Sequence, residues 1–255
     1  MTNMVKVLMR GCNGRMGQMI SSIVEQTEGI EISAGVDVFG ENKNDYPLFR
    51  KVEDVDVDYD VIIDFTKADE TMIPMLQMCA DKQKPIILCT TGLSDEMLAK
   101  MKEVSSKVAV FKSANMSLGI NLIQKLLKQA TEVLAKEGFD IEIVEKHHNQ
   151  KLDAPSGTAL ALADSVNEAL NNEYEYVYDR SQRRMKRPEK EIGISAVRGG
   201  SIVGDHDVIF AGQDEVITFS HTAYSRAVFA KGAVAAAKYI KGKGPGMYDM
   251  SDVIG

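Results

Sequence analysis

The stretch Val5-Lys-Val-Leu-Met-Arg-Gly-Cys-Asn-Gly-Arg-Met-Gly-Gln-Met-Ile20 changes character at Gly11. Before it, Val5–Arg10 is apolar and β-prone, as a strand should be. After it, Gly11, Gly14 and Gly17 recur every third residue. Met16, Met19, Ile20, Ile23 and Val24 then fall on one face of a helix over 15–27. Glycines between a strand and a helix permit a tight turn, close backbone approach to a pyrophosphate and tight helix–strand contact. The helix start offers free N–H groups and partial positive charge to phosphates. A plain tight turn is the competing reading of these glycines.

The downstream sequence favours the phosphate loop. Glu31–Asp37 reads as a second strand, and Asp37 stands 20 residues after Gly17, where a carboxylate would bond an adenosine ribose. Val61-Ile-Ile-Asp-Phe65, Pro85-Ile-Ile-Leu-Cys89 and Val108-Ala-Val-Phe111 are further strands, separated by helices over about 69–82 and 94–106. Strand–helix alternation with nearly continuous apolar strands predicts a Rossmann-type parallel sheet in an α/β protein. Asp64-Phe-Thr66 and Cys89-Thr-Thr-Gly92 follow strands at its ligand-binding end, where their hydroxyls would reach a nicotinamide ribose or cap helices. Asp37 pairs better with the 2′-hydroxyl of NAD than with the 2′-phosphate of NADP. Val38-Phe39, not an arginine, follows it, and the nearest cations read from the sequence are Arg10, Arg15 and Lys43. The cofactors expected are NADH and NADPH, with a lean to NADH.

Near residue 117 the pattern changes. Residues 118–136 read as one helix, with Leu118, Leu122, Leu126, Ala130, Val133 and Leu134 as its apolar spacing. Phe139–Val144 alternates apolar and polar, and strand-like stretches follow at 192–211 and 215–223 without helices between them. This predicts a second α+β domain with a mixed or antiparallel sheet. The expected division is 1–117 plus 226–255 for dinucleotide binding, with the helix at 226–240 returning to the first domain. Residues 118–225 are left for substrate binding and assembly.

The densest chemistry is Glu145-Lys-His147-His148-Asn-Gln-Lys151-Leu-Asp153-Ala-Pro155-Ser156-Gly157-Thr158. His147 can titrate near neutrality and donate a proton. Lys151 can hold a carboxylate or pass on a proton. Ser156, Gly157 and Thr158 open a capped helix whose hydroxyls and amides suit an anion. A polar surface loop with an ordinary cap is the alternative, but two histidines, a lysine and a capped anion site within so short a stretch weigh against it.

Composition sets outer limits. The chain has 255 residues, 30 Lys+Arg, 37 Asp+Glu and a formal net charge of −7, which disfavours nucleic-acid binding through overall charge. Anions must therefore be bound by local features. No apolar run approaches the ~18 residues of a membrane span, and Met1–Leu8 reads as leading into a first strand rather than as a signal peptide. Three cysteines, Cys12, Cys79 and Cys89, form no C-x-x-C pair, which points to a cytoplasmic location. No metal site is expected, since His147 and His148 have no cysteine at ligand spacing. The basic segment Arg180–Lys190 reads as a solvated loop that could draw in an anionic substrate. The acidic run Glu53–Asp60 reads as an exposed edge, and the methionines as core filler.

Taken in order, Gly11-x-x-Gly-Arg-Met-Gly17, Asp64-Phe-Thr66, Thr90-Thr-Gly92, Ser113-Ala-Asn-Met-Ser117, His147-His-x-x-Lys151-x-Asp-Ala-Pro-Ser-Gly-Thr-Ala159 and Val197-Arg-Gly-Gly200…Gly204-x-His206 resemble the bacterial 4-hydroxy-tetrahydrodipicolinate (dihydrodipicolinate) reductases over about 4–241. The resemblance implies NAD(P)H-dependent reduction of a small dicarboxylate on the diaminopimelate route to lysine, by a homotetramer assembled through the C-terminal sheets. It implies His147 as proton donor and Lys151 as a second donor, with His148, Gly157 and Thr158 as substrate ligands. Gly11, Cys12, Asn13, Gly14, Arg15, Met16, Asp37, Cys89, Thr90, Thr91, Ser113, Ala114, Asn115 and Met116 are the implied cofactor ligands. Two positions depart from the family: Cys89 stands where glycine is usual, and Val38 where some members have arginine. Other readings are a dehydrogenase for another small carboxylate and a non-catalytic NAD(P) sensor. The paired His147 and Lys151 argue against the sensor.

Overall fold

Strands covered on both faces have no polar side, and the first half of the chain is written that way. In the computed structural model, which describes residues 4–255, β1 (Val5–Arg10) sends Val7 and Met9 to one side of a sheet and Leu8 to the other, all fully buried. Residues 1–3, read as leading into this strand, lie outside the described residues. The chain continues through α1 (Arg15–Glu25), β2 (Ile30–Val36), β3 (Leu48–Phe49), β4 (Val61–Asp64), α2 (Met72–Asp81), β5 (Ile86–Leu88), α3 (Asp95–Ser105) and β6 (Ala109–Lys112).

It then enters α4 (Leu118–Leu134), β7 (Asp140–His147), α5 (Gly157–Ala169), β8 (Glu175–Val177), β9 (Glu191–Arg198), β10 (Gly204–Ala211) and β11 (Val216–Ala223). It closes with α6 (Ala227–Ile240), β12 (Gly246–Tyr248) and α7 (Met250–Ile254). Two compact units result. One runs to Ser117 and resumes at Ala227–Gly255; the other is Leu118–Arg226.

The first unit holds a seven-stranded sheet, ordered β12-β6-β5-β4-β1-β2-β3, with every pairing parallel. It is Rossmann-like, and strand order reverses at the β1–β4 pair, so the loops after these two strands open at the switch point. Ile20 and Val24 of α1 and the alanines of α6 pack on the face carrying Val7, Met9, Ile63, Ile87 and Phe111. Met72, Met75 and Leu76 of α2 and Met101 of α3 cover the face carrying Leu8, Ile62, Ile86 and Val110.

The second unit holds a mixed sheet, ordered β11-β10-β7-β9-β8. β10 is antiparallel to β7 and β11, whereas β9 is parallel to β7 and β8. Ile141, Ile143, Ile192, Ile194, Val208 and Phe210 share a buried face with Leu127 of α4 and Leu162 and Val166 of α5. β7 keeps strict alternation to its end, so Glu145 and His147 lie on the face that carries Ile141 and Ile143.

Several expectations change. The run 192–211 is two strands, because Gly199 and Gly200 (φ +50°) turn the chain between them. The strand expected to stop at Val144 reaches His147, so that histidine ends a strand rather than sitting in a loop. In α4 the packed side carries Ile120, Ile123, Leu127, Ala130 and Leu134, while Leu118, Leu122, Leu126 and Val133 are exposed. A row spaced by four residues drifts around a 3.6-residue helix and leaves the core.

The basic segment is an irregular, mostly exposed stretch, but three of its arginines are held in ion pairs. Arg180 donates to Glu142 (2.8 Å) and Glu191 (3.2 Å), and Arg183 donates to Glu191 (2.7 Å). Arg187 donates to Asp140 (2.7 Å), Glu142 (3.0 Å) and the Ile141 carbonyl (3.2 Å). Arg180 thus bridges Glu142 of β7 and Glu191 of β9, Arg187 reaches Glu142 and the Glu191 carbonyl, and Arg183 pairs with the nearly buried Glu191, which needs an opposite charge. Hydrogen bonds to charged groups are worth about 1.5–3 kcal/mol each. Arg187→Ala should therefore lower the melting temperature by several degrees and leave KM unchanged. A thermal melt by circular dichroism checks this, and an unaltered melting temperature would show that the Arg187 pairs add nothing to stability.

Candidate active site

In the first unit the glycine loop follows β1. Gly11 adopts φ +82°, and Gly17 allows α1 to press on the loop: a Cβ there would lie 2.2 Å from the Gly11 carbonyl oxygen and 2.6 Å from Cys12 Cα. α1 starts with Gly14 as its N-cap. That residue supplies no side-chain acceptor, and no acid stands in the first turn, so the helix amides are left for an external anion.

Asp37 follows β2 and accepts the amides of Asn13 (2.9 Å) and Phe39 (3.0 Å), fixing the loop beside the glycines. Cys12 is buried with its Sγ toward Gly35; burial, reinforced by Asp37, pushes its thiol up to about 11. Among the cations read as nearest to Asp37, Arg10 is engaged elsewhere. The cation at this loop is Arg50, which donates to the carbonyls of Asp37 and Gly40, each at 2.9 Å. Its place depends on β3 pairing with β2, which no local pattern discloses.

Arg10 instead meets Asp64, whose carboxylate has no solvent exposure. Asp64 accepts from Arg10 (3.1 Å), the Thr66 hydroxyl (2.8 Å) and amide (3.2 Å), and the Thr90 hydroxyl (2.6 Å). The hydroxyls of Thr66 and Thr90 bond this buried carboxylate rather than a helix end. Lys112 donates to the Thr90 carbonyl (2.8 Å), which ties the end of β6 into the same group. Cys89 is partly buried, and burial with nearby Asp64 pushes its thiol up. Thr91 is exposed. After β6, Ser113 donates to the Asn115 carbonyl (3.0 Å), Asn115 accepts the Ser117 amide (2.8 Å), Ala114 is exposed, and Met116 enters the core. The implied cofactor ligands thus line one edge of one sheet, and this edge fits a dinucleotide: collapsed glycines, uncapped amides and a carboxylate after β2.

In the second unit, the sheet face that carries the core turns polar at one end. Glu145, with no exposure, accepts four hydrogen bonds. Two come from the Arg198 fork (2.7 and 2.8 Å), one from His147 Nδ1 (2.6 Å) and one from the Ser156 amide (3.0 Å). Burial would raise its pKa, but Arg198, His147 and Ser156 outweigh that and hold it below the usual carboxylate range. Glu145 is thus an acceptor only, and the shared proton sits on His147 Nδ1. Nε2 of His147 has no hydrogen-bond partner among the described residues. It faces Gly204, where a Cβ would come within 3.1 Å of it.

His206 meets the His147 ring edge-on, centroids 5.1 Å apart, and lies 3.1 Å from Ser156 Oγ. Burial, then neighbouring His147, lowers His206 to about 4, so it is neutral at ordinary pH and no proton source. His221 pairs with His206 in register, so all four histidines of the chain gather at this end.

Ser156 caps α5 by accepting the Ala159 amide (3.1 Å). Gly157 is exposed, and Thr158 is partly buried in the first turn. Lys151 pairs with Asp153 at 2.8 Å. Burial opposes its charge, yet Lys151 and amides including that of Gly157 keep Asp153 below the usual range; a carboxylate is already stabilised at this helix start. Nδ1 of His148, Nδ1 of His206 and Nε of Arg198 are buried without partners among the described residues, as a site for a polar ligand would leave them. No group of three or more His, Cys, Asp or Glu among the described residues has the arrangement of a metal site.

The sequence reading gave no role to Glu145, Arg198 or His206. The available signal was alternation: a glutamate on the inward phase of β7 demands a partner.

Comparison with known proteins agrees in both units. The family model described as dihydrodipicolinate reductase, N-terminus, matches residues 5–116, and that described as dihydrodipicolinate reductase, C-terminus, matches 119–254. A 4-hydroxy-tetrahydrodipicolinate reductase of Clostridium botulinum is 50% identical over 253 residues, covering 99% of each chain. One from Caldanaerobacter subterraneus is 49% identical over 256 residues, covering 98% of each. A dipicolinate-bound dihydrodipicolinate reductase from Paenisporosarcina sp. superposes with a TM-score of 0.78 at 24% identity, covering 98% of this chain and 99% of that one; at this identity it speaks for the fold.

If the glycine loop is built for close approach, Gly17→Ala should abolish dinucleotide binding. Fluorescence titration with NADH measures it, and wild-type affinity in a folded variant would refute the cradle.

Proposed function

The chain belongs to the dihydrodipicolinate reductase family, and on that basis we propose which of its residues carry the reaction. The protein is an oxidoreductase that reduces 4-hydroxy-tetrahydrodipicolinate on the diaminopimelate route to lysine. The conversion to tetrahydrodipicolinate needs a hydride, a proton and loss of the hydroxyl as water. Bound NAD(P)H supplies the hydride. Gly11 through Met16 and the start of α1 hold its pyrophosphate, Asp37 its adenosine ribose, and the segments Cys89–Thr91 and Ser113–Met116 its nicotinamide side.

His147 delivers the proton from Nε2. The observation that carries this role is the pairing of Nδ1 with ionised Glu145, which fixes the ring and leaves Nε2 free beside Gly204. Lys151 is a second donor and holds a carboxylate. His148, Ser156, Gly157 and Thr158 bind the substrate's carboxylates, and Asp153 marks the electrostatics such a group meets there.

NADH is preferred and NADPH tolerated. Asp37 disfavours a 2′-phosphate, and Arg50 beside it softens that preference. The enzyme works in the cytoplasm, a reading supported by three free cysteines. No helix among the described residues is long and apolar enough to cross a membrane.

The active form is a homotetramer joined through the second-unit sheet. Val197 and Val216 are exposed on the face opposite α4 and α5, which the arginine strap covers only in part. Light scattering should give the mass of four chains; a monomer at working concentration would exclude this assembly.

The decisive assay follows NADH oxidation with enzymatically generated 4-hydroxy-tetrahydrodipicolinate. His147→Ala should lower kcat by about 10²–10⁴-fold, the range of a lost general acid, with NADH affinity unchanged. Equal losses in both would make the residue structural. KM should be lower for NADH than for NADPH, and the reverse order would overturn the reading of Asp37.

A further inference from the structure

We propose that Glu145 and Arg198 form a positioning pair that sets both proton donors and the helix start that receives the substrate. The inference rests on the roles given above to His147 and Lys151. β7 and β9 run parallel with His147 opposite Arg198, so a guanidinium from a segment 53 residues away reaches the carboxylate one inward step back on β7. One oxygen of Glu145 takes His147 Nδ1 and one arm of Arg198; the other takes the second arm and the Ser156 amide. Arg198 then reaches on to the carbonyl of Asp153 (2.6 Å), in the loop that presents Lys151. A single ion pair thereby sets the ring of one donor, the loop of the other and the first turn of α5.

The pair also sets which nitrogen of His147 carries the proton. The groups around that ring are Glu145 on its own strand, Arg198 from β9, and neutral His206 from β10 with His221 beyond it. Beyond the ring, Ser156 from α5 lies 3.1 Å from His206, and Lys151 in the loop acts on His206 electrostatically. Among the described residues Glu145 is the carboxylate bonded to the ring, and it favours the Nδ1–H tautomer when the ring is neutral.

Glu145→Gln keeps the shape and removes the charge. Its kcat should fall by about 10²–10⁴-fold, with NADH affinity intact. Arg198→Lys keeps the carboxylate ionised and should lower kcat less. ¹⁵N NMR of wild-type protein should find the neutral His147 ring as the Nδ1–H tautomer, and Glu145→Gln should lose that preference.

If both variants keep wild-type kcat and merely melt earlier, the pair is structural and the proposal falls. It falls equally if wild-type His147 carries its proton on Nε2 when neutral. Should wild-type protein fail to turn over the substrate, the catalytic reading fails instead, and the tautomer measurement alone still decides the pair.

Discussion

A carboxylate withdrawn from water must gather donors around it, and each unit of this chain is organised by one such group at the polar end of a sheet. Leaving either ion unpaired would cost several kcal/mol. Asp64 and Glu145 both have no exposure, and each accepts an arginine, a backbone amide and at least one further side-chain donor. The requirement acts as a geometric instruction. Around Asp64 it draws together Arg10 at the end of β1, Thr66 after β4 and Thr90 after β5, so the strands that frame the switch point end in register. Around Glu145 it draws together β7, β9 and the first turn of α5. The ligand-facing edges are firm because a buried charge inside each tolerates little movement.

The two groups serve different ends. Asp64 takes up the Thr66 and Thr90 hydroxyls, and the glycine loop beside it offers the uncapped amides of α1. Such a surface suits a long, flexible dinucleotide. Glu145 leaves one nitrogen free for transfer, and the atoms that remain near it are side-chain donors. That surface suits a small anion and a proton.

How much of this was legible in the sequence depended on distance along the chain. The parallel sheet was readable because burial on both faces writes apolar runs, and the glycine loop because its three glycines lie within seven residues. His147 and Lys151 were readable because they cluster. Arg198 was not, since its tie to Glu145 is made by parallel register across 53 residues. Arg50 was missed for the same reason, because it arrives through the two-residue strand β3. The strands β8 and β12, three residues each, carry too little pattern to stand apart from loops. The arginine segment misled because charge density alone does not tell whether partners wait on the nearest strands.

β7 also bears on where the family can vary in length. Inward and outward residues alternate along it without a break from Asp140 to His147. A single residue gained or lost between the core isoleucines and the histidine would exchange the two faces beyond it. Lys146 would then turn inward, and Glu145 with His147 outward. Evolution can lengthen the turn between β9 and β10, or the segment before β3, by small steps. Here no small step exists: this strand has an effectively fixed word length, and altering it would carry Glu145 and His147 to the opposite face of the sheet.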